Sequence, residues 1–119
     1  MVVQSPDGLH ATDWKYYSEP PHGDSLNVVS FNGLRLPGLY WGRGHVWSPI
    51  SDYFAVEREG QSLGGLYVVR VVDSFWCKVA DFSGPESFVF PELWYRQYGC
   101  NSPIEKYVFS GEERLTPIG

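Results

Sequence analysis

The chain has 119 residues, of which 43% are hydrophobic and 17% aromatic, and nine Lys and Arg against fourteen Asp and Glu leave a net charge of −5. That length suits one domain with a single core, and the apolar content excludes a disordered chain. The nine cations are scattered from Lys15 to Arg114 with no basic run, so the footprint needed to neutralise phosphates is missing and nucleic-acid binding is not expected.

The amino terminus, "MVVQSPDG", meets a turn signal within eight residues and has neither the basic nor the apolar region of a signal peptide. No apolar run approaches the ~20 residues that span a bilayer. The chain therefore reads as a cytoplasmic protein without a membrane span. Thirteen Gly and nine Pro interrupt intervals rich in Val, Tyr, Phe and Trp, the pattern of short strands joined by turns. Strands are expected near His10–Tyr17, Leu26–Phe31, His45–Trp47, Tyr53–Glu57, Gly65–Val72, Phe75–Ala80 and Glu105–Ser110. "GGLYVVRVVDSFWCKVADF" reads as a tight hairpin around Asp73 and Ser74. In its first run Leu66, Val68, Arg70 and Val72 share one face while Tyr67, Val69 and Val71 share the other. Both faces are largely apolar, so this strand is central and covered on two sides, with Arg70 and Lys78 near an edge, a solvent channel or a partner. "ESFVF" between Pro85 and Pro91 reads as a strand or extended loop. "PELWYRQYG" has Pro at a first helical position and Gly99 as a stop, which predicts one short helix over Pro91–Tyr98. Residues 111–119 read as an exposed tail. Cys77 falls in a strand and Cys100 in a loop, and free thiols are the plainer reading of the pair.

The stretch "VWSPISDYFAVERE" resembles the repeat of TolB-type β-propellers, in which an apolar strand meets a W-S-P-D-G/S turn and then a second strand. Val46, Trp47, Ser48 and Pro49 match, Ile50 stands where the family has Asp, and Ser51, Tyr53, Phe54, Ala55 and Val56 fit again. The following hairpin is similar to the next two strands of a blade, and Ser5–Gly8, "SPDG", carries the turn signature in full. The resemblance covers about residues 45–82, and residues 5–17 more weakly. A propeller closes from about four to eight four-stranded blades, and this chain has material for about two. The resemblance thus implies blade-like meanders, not a complete propeller. The expected fold is all-β, or β with one short helix, as a small antiparallel sheet-on-sheet or barrel-like domain.

His45, Ser48 and Asp52 look like a Ser-His-Asp set, but His45 and Ser48 are three apart on a strand and point to opposite faces, and Ser48 before Pro49 already has a turn role. His10, Asp13, His22, Asp24 and His45 lack zinc-site spacing, so no metal or cofactor is expected. "PGLYWGRGHVW" reads either as a glycine-rich bend whose aromatics plug the sheet or as a contact loop presenting Tyr40, Trp41, Arg43 and His45, since Tyr, Trp and Arg are enriched at interface hot spots. "LWYRQY" reads first as Leu93 and Trp94 packed onto the sheet with Tyr95 and Arg96 left for a partner, and it adds Trp94, Tyr95 and Arg96 to the candidates. Those seven residues are the candidate binding set. The expectation is a non-catalytic accessory protein that docks a protein partner, with an immunity-type inhibitor as one form of it. A carbohydrate or small-molecule module stacking ligands on Tyr40, Trp41, Trp94 and Tyr95 is the alternative, and a homo-oligomer completing a sheet is another.

Overall fold

The computed structural model describes residues 1–20, 24–81, 83–97 and 102–118, and leaves the Arg43 side chain undescribed. Twelve strands are found among the described residues and no helix: β1 (Val2–Gln4), β2 (Ala11–Ser18), β3 (Leu26–Phe31), β4 (Leu34–Arg35), β5 (Tyr40–Trp47), β6 (Tyr53–Arg58), β7 (Gly65–Arg70), β8 (Phe75–Ala80), β9 (Ser83–Val89), β10 (Glu92–Gln97), β11 (Ile104–Val108) and β12 (Thr116–Pro117). Nine form one antiparallel sheet in the order β1-β2-β3-β5-β6-β7-β8-β12, with β4 attached to β3, and β11-β10-β9 form a second sheet. The protein is a small all-β domain of meander-like sheets, and the large sheet does not close into a barrel.

The large sheet curls because β5 turns a corner. Tyr40 and Trp41 pair with Asn27 and Leu26 of β3, whereas His45, Val46 and Trp47 pair with Val56, Ala55 and Phe54 of β6. Between them the register jumps, and Trp41–Gly44 stand as a wide bulge opposite Glu57. Gly42 and Gly44 make this bulge possible. A Cβ on Gly42 would lie 2.8 Å from Ser25 Oγ, and one on Gly44 would lie 2.5 Å from Glu57 Cβ. Past the corner, His45 reaches across the core to Trp14 with ring centroids 4.8 Å apart, and Trp47 reaches Phe31 at 6.3 Å. Bulges bend strands and increase local twist, and a twisted sheet this wide cannot stay flat.

Curling gives the large sheet two apolar faces. The inner one holds Trp14, Val29, Phe31, Leu36, Tyr40, Phe54, Val56, Tyr67, Val69, Val71 and Trp76, with Val3 and Ile118 from opposite edges of the sheet packed against it. The outer one holds Ala55, Leu66 and Val68, covered by Phe88, Leu93 and Phe109 from the small sheet and its flank. β7 therefore contributes to both cores, with Tyr67 and Val69 inside and Leu66 and Val68 outside, as its two apolar faces require. Arg70 sits at the end of β7, paired with Asp73. Lys78 is one-third exposed and pairs with Asp81 at 2.6 Å.

Two segments differ from expectation. The stretch expected to be helical is β10, whose residues pair with β9 on one side and β11 on the other. Leu93 and Tyr95 point to the core while Trp94 and Arg96 point out, so a period of two wins over a weak helical start signal once two neighbouring strands supply hydrogen bonds. Tyr98 and Gly99, the expected end of that helix, lie outside the described residues, as does Cys100. Residues 111–118 are mostly exposed, yet Thr116–Pro117 pair with Trp76 and Phe75 at the edge of β8.

Phe54 is 1% exposed and meets Phe31 and Trp47 at 5.0 and 4.8 Å. Phe54→Ala is expected to cost about 3–5 kcal/mol in chemical denaturation, while Val72→Ala, at an exposed turn, should stay within about 0.5 kcal/mol.

Candidate binding site

The corner in β5 places several turns at one end of the molecule. They are Ser5–His10 between β1 and β2, Asn32–Gly33 between β3 and β4, Ser48–Asp52 between β5 and β6, and Val71–Ser74 between β7 and β8. A cleft of about 640 Å³ lies among them, lined by His10, Asn32, Ile50, Ser51, Asp52, Tyr53, Arg70, Val71 and Val72.

Two of these turns share one design. In the first, Ser5 Oγ donates to Asp7 (2.6 Å) and accepts from His10 N–H (3.1 Å), while Ser5 N–H donates to His10 C=O (2.8 Å) and Gly8 N–H to Ser5 C=O (2.9 Å). In the second, Ser48 Oγ donates to Asp52 (2.6 Å) and accepts from Tyr53 N–H (3.1 Å), while Ser48 N–H donates to Tyr53 C=O (2.9 Å) and Ser51 N–H to Ser48 C=O (3.0 Å). The two are cross-linked, since Asp7 N–H donates to Ser51 Oγ at 2.9 Å. Hydrogen bonding to Ser5, and then to the Leu9 amide, holds the Asp7 carboxyl below its usual range. Pro at the second position fixes the entry geometry in both. "WSPIS" is therefore a corner, and a rigid one.

The other two turns are also fixed. Asn32 and Gly33 both have positive φ, 50° and 78°, the conformation that an Asn-Gly hairpin turn demands. Asp73 accepts two N–H groups of Arg70 and the Phe75 amide, which pulls its carboxyl below the usual range. Ser74 follows at φ 57°. Along this rigid rim stand three exposed aliphatic side chains: Leu9 beside His10 (78% exposed), Ile50 (75%) and Val72 (87%).

The residues singled out in the sequence fall elsewhere. Tyr40 is fully buried in the inner core, with its hydroxyl donated to Pro37 C=O; burial raises its ionisation well above the usual phenol range. Trp41 is half-buried and engaged at the bulge, and the Arg43 side chain lies outside the described residues. His45 packs on Trp14, and its Nδ1 is buried without a hydrogen-bond partner. "PGLYWGRGHVW" is thus mostly strand β5 with a glycine bend, not an open contact loop. Trp94 and Arg96 lie on the outward face of β10, and Tyr95 faces the outer core. β9 packs over β5, and Tyr40 lies in the inner core whereas Tyr95 packs against the outer one. His45, Ser48 and Asp52 do not converge: the serine bonds directly to the carboxylate, and the imidazole packs on Trp14. His22 is not described, and among the described residues no group of three or more His, Cys, Asp or Glu is placed to hold a metal ion. Among them too, no helix is long and apolar enough to cross a membrane. Cys77 is a half-buried free thiol, pushed up by burial and then by Glu113.

The cleft residues His10, Asn32, Ile50, Arg70 and Val72 escape a reading based on aromatic clusters. A usable signal was present in the twice-used Ser-Pro turn and in "NG" at Asn32–Gly33, because turns following alternate strands of a meander share an end. In comparison with known proteins, no family model, no curated protein and no solved structure matches this chain.

Two measurements probe this construction. Ser48 is fully buried, and Ser48→Ala leaves the Tyr53 amide and Asp52 without their partner, at an expected cost of about 1–3 kcal/mol in urea denaturation. For His45, desolvation lowers the imidazole below its ordinary 6.5, opposed by the Gly42 carbonyl and by Asp24. The unfolded chain then binds the proton more readily, so stability is complete above about pH 6.5 and is lost as pH falls below it toward the depressed folded value. Unfolding free energy should drop between about pH 7 and 5, and His45→Phe should flatten that slope.

Proposed function

We propose that the protein is a non-catalytic binding protein that docks a protein partner through its turn-bearing end. The observation that carries this reading is the set of exposed aliphatics, Leu9, Ile50 and Val72, held on turns that are each locked by side-chain hydrogen bonds or hairpin geometry. Ile50 and Val72 line one cleft beside polar groups, an arrangement that suits an interaction surface, and preformed turns lose little entropy on binding. The charge there supports a basic partner: Asp7, Asp52 and Asp73 stand against Arg70, within a chain of net charge −5. Complementary charge raises the encounter rate. An inhibitor that neutralises a basic enzyme or toxin is one form this function takes. The hydroxyl and carboxylate groups of the two Ser-Pro turns are committed to backbone and to each other, which supports binding over catalysis.

The test is affinity capture from source cells with the wild-type protein and with Ile50→Asp/Val72→Asp. The wild type is expected to retain a stoichiometric basic protein that the variant releases, and added salt should slow association without changing the partner's identity. Recovery of no such partner, or equal recovery by the variant, counts against the reading.

A further inference from the structure

The small sheet has an outward face that the docking reading does not use. β10 turns Leu93 and Tyr95 to the core and Trp94 and Arg96 away from it. Directly across from Trp94 stand Ser87 of β9 and Lys106 of β11. Of the five tryptophans, Trp94 alone is exposed, at 36%, whereas Trp14 and Trp76 are at 2% and 8%. A tryptophan belongs at the edge of a core or in an interface, and among the described residues the Lys106 side chain is the group that lies over this ring.

What surrounds Trp94 defines the chemistry it suits. Beside it lies a shallow depression of about 420 Å³, lined by Glu86, Ser87, Trp94 and Ile104, within the range of about 300–1,000 Å³ that ligand pockets span. Glu86 pairs with Arg96 at 3.3 Å, and Arg96 also donates to Ser102 C=O at 2.7 Å. Glu92 pairs with Lys106 at 3.5 Å. Each pair holds a carboxylate and a cation in fixed positions beside the ring while leaving the face without net charge. Lys106 Nζ lies 5.2 Å from the ring centroid, an exposed contact that a ligand can replace because Glu92 still holds the ammonium.

We infer that this face is a binding site for neutral saccharides. A pyranose presents a flat face of C–H groups to an aromatic ring and a rim of hydroxyls that both donate and accept. Trp94 supplies the ring, Glu86 and Ser87 supply acceptors, and Arg96 and Ser87 supply donors. Nucleotides and sulfated or uronic polymers call for an excess of cations, and the two cations here, Arg96 and Lys106, are each matched by a carboxylate, Glu86 and Glu92. The site is independent of the turn-bearing end, and either can fail without the other.

The test uses the intact protein with cello-, xylo-, manno- and chitohexaose as probes, and polygalacturonate as an anionic comparison. Trp94 is the most exposed of the five tryptophans, so at least one neutral hexaose is expected to reduce acrylamide quenching of the emission that Trp94→Ala removes, with a dissociation constant of about 0.1–1 mM. Trp94→Ala should weaken the binding at least tenfold, Trp94→Phe should keep part of it, and Ile50→Asp should leave it unchanged. Protection by none of the neutral hexaoses overturns the proposal, as does binding that survives Trp94→Ala. Preference for polygalacturonate overturns the neutral assignment.

Discussion

The bend in β5 is the constraint on which the rest of this molecule depends. A strand that continued straight from Tyr40 would carry His45 and Trp47 away from β2 and β3. Four residues, Trp41–Gly44, are instead accommodated opposite Glu57. The strand leaves β3 and crosses the core, so Trp14 meets His45 and Phe31 meets Trp47 and Phe54. Only glycine allows the backbone to come so near Ser25 and Glu57. Every later feature follows from this geometry: an enclosed inner core, a second apolar face on the back of β6 and β7, and a small sheet to cover that face.

The same bend decides which turns become neighbours. The Ser5 and Ser48 turns are far apart in the chain and on separate strand pairs, yet they touch through the Asp7 amide and Ser51. Each buries its serine and commits that hydroxyl to a carboxylate and to a backbone amide five residues on. A buried hydroxyl left unmatched costs more than the bond itself contributes, so these turns hold one conformation. Their tips are free to carry exposed aliphatic groups because the stems do not rely on them.

Stability and binding are thus divided between inside and outside of the strands. Tyr40, Trp14 and Trp76 spend their area in the inner core, and the aromatic cluster of Tyr53, Phe88, Phe90 and Phe109 holds the small sheet to the large one. Among the exposed apolar groups, Leu9, Ile50 and Val72 stand on hydrogen-bonded turns and Trp94 on the middle strand of the small sheet. Exposed ion pairs such as Glu86–Arg96 contribute little to stability, and their effect is to keep side chains in place.

Sequence by itself determined the class of this fold and much of its strand content. Alternation in β7 told that both faces of that strand are buried, because a period of two assigns each residue to a side whatever the partner is. It also showed that "WSPIS" is a turn, since proline and serine act on the local backbone. Tertiary structure alone decided three other matters. It made β10 a strand, because the signals in "PELWYRQYG" are weak and two neighbouring strands offered a complete hydrogen-bond ladder. It buried Tyr40 and left Trp94 exposed, a distinction between aromatics that composition cannot draw, since burial depends on what folds over a residue from far along the chain. And it gathered His10, Asn32, Ile50 and Arg70 into one cleft, because the path of a bent strand is fixed by packing between distant segments and not by the local sequence of any of them.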